Sequence, residues 1–159
     1  MPDLTNVGKK GEAKFREWLD RPQEGFWCYR IPDQRTGFFG STNPCDFFVY
    51  HKPNFYYAEC KTTYEDRFDF TMLSPNQHDE MLKAAKVDGI TSYVVVLFAS
   101  YQRAFLINIL DIEKMEKQKK KSLNITKIAK WPIPYIEIKT IPSRKDLLDY
   151  DFNQAKEIF

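Results

Sequence analysis

Asp46-Phe47-Phe48-Val49-Tyr50 and Phe55-Tyr56-Tyr57-Ala58-Glu59-Cys60-Lys61 are the two stretches that decide how this chain folds. Both are apolar, aromatic runs of strand length, and Pro53-Asn54 between them supplies turn chemistry, so they read as a hairpin. Side chains alternate between the two faces of a strand. Glu59 and Lys61 therefore share one face and Cys60 takes the other. Two carboxylates, Asp46 and Glu59, and the Lys61 ammonium are costly to desolvate together unless something compensates them. A divalent cation, with DNA phosphate as its other partner, accounts for all three.

Length and composition set the frame. A chain of 159 residues is long enough for one domain with a real core, taken here as residues 1–159. A hydrophobic content of 43% and an aromatic content of 16% argue against disorder. The net charge of +2 does not announce a polyanion binder, so any basic surface must arise from local clustering. No run has the length of a membrane span, and the opening MPDLTNVGKKGE lacks the apolar region of a signal peptide, so a cytoplasmic protein is expected. Cys28, Cys45 and Cys60 are odd in number and contain no CxxC pair. With only His51 and His78 beside them, they read as reduced, structural thiols and not as a zinc site.

Along the chain, helix and strand patterns alternate. Residues 5–20 read as a helix with Gly8, Glu12, Phe15 and Leu19 on one stripe. Glu12 on an inward stripe needs a reason. Lys9, Lys10 and Lys14 lie on the outer faces, where solvation explains them as well as contact with a DNA backbone does. Residues 26–31 and 46–50 read as strands, and 62–73 as a polar, aromatic loop over the site. Ser74 as N-cap, Pro75 at the first helical position and Gln77 at the capping-box position start a second helix, which Gly89 can end. Residues 92–99, with Val94-Val95-Val96-Leu97-Phe98, read as a strand buried on both faces, paired with 104–109. A charged helix over 111–121 ends in Lys119-Lys120-Lys121. A short helix at 122–130, a strand at 135–141 and a helical tail at 143–159 complete the pattern.

The chemistry follows from the residue types. Phosphodiester hydrolysis needs a metal to neutralise charge and acidify water, and a group to orient the attacking water. Mg²⁺ takes hard oxygen ligands and keeps several waters, so one to three carboxylates suffice. Asp46 and Glu59 can ligate it directly, and Glu12 directly or through water. Lys61 beside them can place the nucleophile or stabilise developing charge. Mn²⁺ can substitute for Mg²⁺. Taken bare, the triplet is also compatible with a half-exposed strand carrying solvated charges.

In order along the chain, these residues resemble the RecU-type Holliday junction resolvases of the PD-(D/E)xK nuclease superfamily. Asp46 with Glu59-Cys60-Lys61 resembles the superfamily core motif. Asn6-Val7-Gly8-Lys9-Lys10-Gly11-Glu12 resembles the family's opening NxGxxxE helix, and Ser41-Thr42-Asn43-Pro44-Cys45-Asp46-Phe47 its Ser-Thr-x-Asp-Tyr segment. Glu59-Cys60-Lys61-Thr62 is similar to its Glu-Ala-Lys-Glu-Thr strand, Asn76-Gln77-His78 to its helix-starting His-Gln, and Lys121-Ser122-Leu123 to its late Lys-Ser-Ile segment. The resemblance implies an α/β fold of restriction-endonuclease-like type, a mixed central sheet flanked by helices. It implies metal ligation by Asp46 and Glu59, catalysis by Lys61, support from Glu12 and Gln77, a DNA substrate, a homodimer, and a bacterial or phage-infected host cell. One departure stands out. Relatives carry a long basic stalk before the catalytic Asp, whereas only fifteen residues separate Arg30 from Asp46 here. Other roles on the same fold are a restriction, repair or phage-genome-processing nuclease. A DNA-binding module whose carboxylates form salt bridges is the reading without catalysis.

Overall fold

The computed structural model describes residues 6–20, 24–32 and 43–141, together with the backbone at 149–150. Helix α1 (Val7–Leu19) is followed by strands β1 (Phe26–Arg30), β2 (Phe47–His51), β3 (Asn54–Thr63) and β4 (Arg67–Asp69). Then come α2 (Pro75–Ala85), β5 (Ile90–Phe98), β6 (Arg103–Asn108), α3 (Ile109–Lys117) and β7 (Ser122–Asn124). Short strands β8 (Ile136–Ile138), β9 (Thr140–Ile141) and β10 (Asp149–Tyr150) close the chain. Six strands form one mixed sheet in the order β1-β2-β3-β5-β6-β8, in which only β3 and β5 run parallel. The fold is thus α/β, with helices on both faces of a mixed central sheet.

The sheet divides the core in two. On one side, Phe15, Trp18 and Leu19 of α1 pack on Phe47, Val49, Ala58, Val95, Leu97 and Leu106. On the other, Met81 of α2 and Ile112 and Met115 of α3 pack on Val94, Val96, Phe98, Phe105 and Ile107. Strand β5 feeds both clusters through alternate residues, which is why its sequence is a nearly unbroken apolar run.

The β2–β3 hairpin forms as the sequence predicts, with the turn one residue earlier, at Lys52-Pro53, so that Asn54 pairs with His51. Ser74 and Gln77 make a full capping box at the start of α2. Helix α2 stops at Ala85, short of Gly89, whose positive φ serves the turn into β5. Helix α3 ends at Lys117, before the three lysines. Lys119 takes φ 63°, its amide bonding Glu116 O while that of Lys120 reaches Met115 O, a Schellman closure built without glycine.

Several sequence expectations differ from the structure. The buried stripe of α1 is Val7, Gly11, Phe15, Trp18 and Leu19, so Gly8 is exposed and Glu12 sits at the margin. Residues 62–73 are not an overlying loop. They finish β3, form β4, and bury Phe68, Phe70 and Leu73 in the core. Residues 122–130 are β7, paired with β4, and then a kinked 3₁₀ turn at Ile125–Lys130, not a helix. Within the tail, 149–150 pairs with β9 as a strand, and the rest lies outside the described residues, as do Phe38 and Phe39.

Gly11 explains how α1 comes so close to β3. A Cβ there would lie 2.1 Å from Thr62 Oγ1 and 3.3 Å from Leu97 Cδ2. Overpacking of this kind costs roughly 1–3 kcal/mol. Gly11→Ala is therefore expected to lower the thermal midpoint by several degrees, and Thr62→Ala in the same chain to restore most of the loss. A double-mutant cycle by thermal denaturation measures the coupling, and purely additive effects would show that the helix is not seated on Thr62.

Candidate active site

Asp46 stands where β2 begins. Its carbonyl accepts from Ile31 N at 2.8 Å, which continues the ladder to β1, and its amide donates at 3.2 Å to Ala58 O, the residue already paired with Phe47. Two positions further along β3, Asp46 Oδ2 accepts from the Cys60 amide at 2.8 Å. The carboxylate is thus held against the backbone of β3 beside Glu59.

Glu59 follows Ala58 on β3 and is almost completely buried at 1% exposure. Its Oε1 is held twice, by Lys61 Nζ at 2.7 Å and by Gln77 Nε2 at 2.6 Å. Lys61 Nζ also donates to Gln77 Oε1 at 3.2 Å, closing a triangle between β3 and the first turn of α2. The same Gln77 oxygen accepts from the Ser74 amide at 3.1 Å as part of the capping box. Gln77 is therefore both a helix cap and a site residue. Glu59 Oε2 is buried and has no hydrogen-bonding partner among the described residues.

Glu12 approaches from the α1 side and pairs with Arg30 Nε at the end of β1. Its charge is felt by Asp46 and Glu59, but among the described residues no three acidic, histidine or cysteine side chains form a ready metal-ion cluster. Arg30 was not singled out as a site residue by its sequence position. It lies on the face opposite the acidic row, and only the three-dimensional meeting of α1 with β1 pairs it with Glu12. Lys9 and Lys10 are exposed on α1, and Lys14 lies 3.5 Å from Glu17. The Lys119-Lys120-Lys121 run lines a cavity of about 880 Å³ with Phe70, Leu73, His78, Asp79 and Glu116, whose walls do not include Asp46 or Glu59.

Burial dominates the electrostatics. It pushes Asp46 up to about 6, with the Cys60 amide pulling the other way and Glu12 adding to the rise. It pushes Glu59 up to about 7, reinforced by Asp46 and opposed by Lys61. Cys60 is also raised well above its usual value by burial, which suits an unreactive thiol packed towards the α1 side. No described helix is long and apolar enough to cross a membrane.

The family model for recombination protein U matches residues 30–149, three quarters of the chain. The chain belongs to the RecU family. Among solved structures, Hjc, a Holliday junction resolvase from the archaeal hyperthermophile Archaeoglobus fulgidus, is similar with a TM-score of 0.52 and 19% identity. The match covers 75% of this chain and 89% of that one. At such identity the likeness is one of fold: the mixed sheet flanked by helices is shared. No curated protein matches the sequence.

The raised carboxylates give a pH dependence with a definite sign. A carboxyl whose folded pKa exceeds its unfolded value stabilises the fold fully below the unfolded value and loses that contribution as pH rises through the folded one. From ordinary values of 3.8 and 4.5 up to about 6 and 7, the window runs across pH 4–7. Without divalent cations, the midpoint is expected to fall across that window. Glu59→Gln should flatten the fall and stabilise the protein near pH 8 by on the order of 2 kcal/mol. Denaturation at several pH values in a chelating buffer checks this, and a Glu59→Gln profile parallel to wild type would contradict it.

Proposed function

We propose that this chain is a Mg²⁺-dependent DNA endonuclease of the Holliday junction resolvase class, acting as a homodimer through one nuclease domain that spans the chain. Family membership supports recombination chemistry, and the acidic row of β2 and β3 supports hydrolysis. The observation that carries the reading is the divided Glu59 carboxylate. One oxygen is held by Lys61 and Gln77 while the other is buried without a partner among the described residues.

That donor set fits a hard divalent cation. Asp46 and Glu59 would hold it through carboxylate oxygens, and Glu12 would support it through water while Arg30 restrains its side chain. When bound, the ion supplies charge neutralisation at the phosphate and acidifies a water. The remaining work falls to the chain's own residues. Gln77 fixes the orientation of Glu59 and leaves Oε2 available. Lys61, anchored by Glu59 and Gln77, holds a cation where the attacking water is oriented and charge develops on the phosphate. Burial of the cluster strengthens each of these interactions relative to water. Lys9, Lys10 and Lys14 would meet the DNA backbone, which fixes position without reading sequence.

Asp46→Asn is expected to reduce cleavage at least about 100-fold while DNA binding survives or tightens, since a charge near phosphate is lost. Calorimetry should show Mg²⁺ and Mn²⁺ binding lost with it. Full activity in this variant would remove the site assignment. Lys61→Ala should keep metal binding but lose roughly 100-fold in single-turnover rate, far more than Lys10→Ala. Equal rates for the two lysine variants would make Lys61 an ordinary surface residue.

With only residues 31–45 between Arg30 and Asp46, junction preference is expected to be modest and strongly salt-dependent. A panel of four-way junction, linear duplex, single strand and flap, with Mg²⁺ and with EDTA, tests substrate class and metal together. Failure of excess duplex to compete with a labelled junction at two salt concentrations would show that the short segment recognises the branch.

A further inference from the structure

The first turn of α2 serves two places at once. Gln77 reaches Glu59 and Lys61. Pro75 and His78 instead help to wall the cavity of about 880 Å³ between this turn and the end of α3. That volume falls in the roughly 300–1,000 Å³ range of small-molecule sites. Phe70 and Leu73, both buried, give the cavity an apolar floor. Lys119, Lys120 and Lys121, all exposed, give it a cationic rim. The rim is held in place by the backbone. Lys121 O accepts from Phe70 N at 2.9 Å, which fastens the lysine run to the floor. Lys119 sits in the turn that closes α3, at a left-handed φ of 63° that glycine would adopt with less strain. A lysine at that position keeps a charge at the cavity mouth. The rim charges are also uncompensated. Elsewhere on α3, Lys114 pairs with Asp111 and Lys117 with Glu113. Lys119, Lys120 and Lys121 form no salt bridge among the described residues. The acids near them are engaged, Glu116 at 2.7 Å and Asp79 at 3.6 Å from the His78 ring nitrogens, and Asp69 by the amide and hydroxyl of Thr71.

We propose that this cavity seats one unpaired nucleotide of a DNA strand, its base against Phe70, Leu73 and Pro75 and its phosphate on the lysine rim. The combination of apolar floor and cations decides the ligand. Duplex DNA turns its phosphates outward and keeps its bases stacked on one another, so it would use the rim and leave the floor empty. An unpaired nucleotide offers a flat apolar face and a phosphate together, which is what single-strand sites meet with apolar rings and cations. Position decides the source. Gln77 and His78 are neighbours on α2, so a nucleotide seated against Pro75 and His78 lies on the far side of one helical turn from the Glu59–Lys61 cluster. A strand running past that cluster reaches the cavity next. Nucleotides beside a branch point are the ones free to unstack into it. That this strand is then cut rests on the nuclease reading, whereas the seating of the nucleotide does not.

Fluorescence anisotropy in EDTA, where nothing is cut, tests this with a labelled duplex that is either blunt or carries a short single-stranded overhang. Wild type should bind the overhang form roughly tenfold more tightly, as the stacking of one base allows. An overhang made of abasic sites should lose most of that gain. Lys119→Gly combined with Lys120→Ala removes two charges from exposed positions and suits the left-handed turn, so the variant should fold. It should lose the gain and lower the slope of log affinity against log salt by about 1 on the overhang form, with blunt duplex affected far less. Equal binding of blunt and overhang DNA by wild type would overturn the proposal. So would a full gain with the abasic overhang, or an undiminished gain in a variant with wild-type circular dichroism. An acidic, phenylalanine-bearing peptide that binds through these lysines when the overhang does not would overturn it in favour of a protein partner. A protein that shows the overhang gain yet cleaves nothing with Mg²⁺ would refute the nuclease reading alone. One that cleaves branched DNA without any overhang gain would refute the nucleotide seat alone.

Discussion

A carboxylate buried on a central strand is the constraint around which this structure is arranged. Glu59 cannot be taken out of water without compensation. Its compensation comes from two directions, an ammonium two residues along β3 and an amide from the first turn of α2. The helix must therefore begin where it does, and Ser74 and Pro75 ensure that it does. Partial compensation is the functional point. A fully satisfied Glu59 would be an ordinary internal salt bridge, and one with no partners would simply be protonated.

The two faces of the sheet do different work. On one, Gly11 lets α1 settle against Thr62 and Leu97, and the large rings of Phe15 and Trp18 lock the helix onto β2 and β3. On the other, Glu59 and Lys61 of β3 meet the first turn of α2, and α2 and α3 pack on β5 and β6. Strand β5, parallel to β3, is the shared wall, and its valines contribute to both sides. Rigidity under the site comes from this double burial.

Much of the arrangement is legible in the sequence because it is local. Alternation placed Glu59 and Lys61 on one face, the Ser74-Pro75-Asn76-Gln77 run announced a capped helix, and the apolar run at 94–98 announced a central strand. What the sequence hides is non-local or marginal. β4 and β7 are three-residue strands that exist through their pairing with each other, far apart in the chain. The 122–130 segment has helical composition, but Lys127 leaves helical geometry. Periodicity also cannot tell which of the two glycines faces inward: Phe15 and Leu19 do belong to the buried stripe of α1, but its first turns bury Val7 and Gly11 in place of Gly8 and Glu12. The Glu12–Arg30 pair depends on where α1 meets β1, which no single helix or strand pattern contains.

Gln77 has one carbonyl oxygen serving two masters. It accepts from the Ser74 amide and from Lys61 Nζ, while its amino group holds Glu59. Fraying of the first turn of α2 and loosening of Lys61 are consequently a single local unfolding event, not two. Hydrogen exchange of the Ser74 amide becomes a gauge of how tightly the site is assembled. Anything that draws on the free side of Glu59 will be felt at the helix terminus, where a spectroscopist can watch it without a substrate.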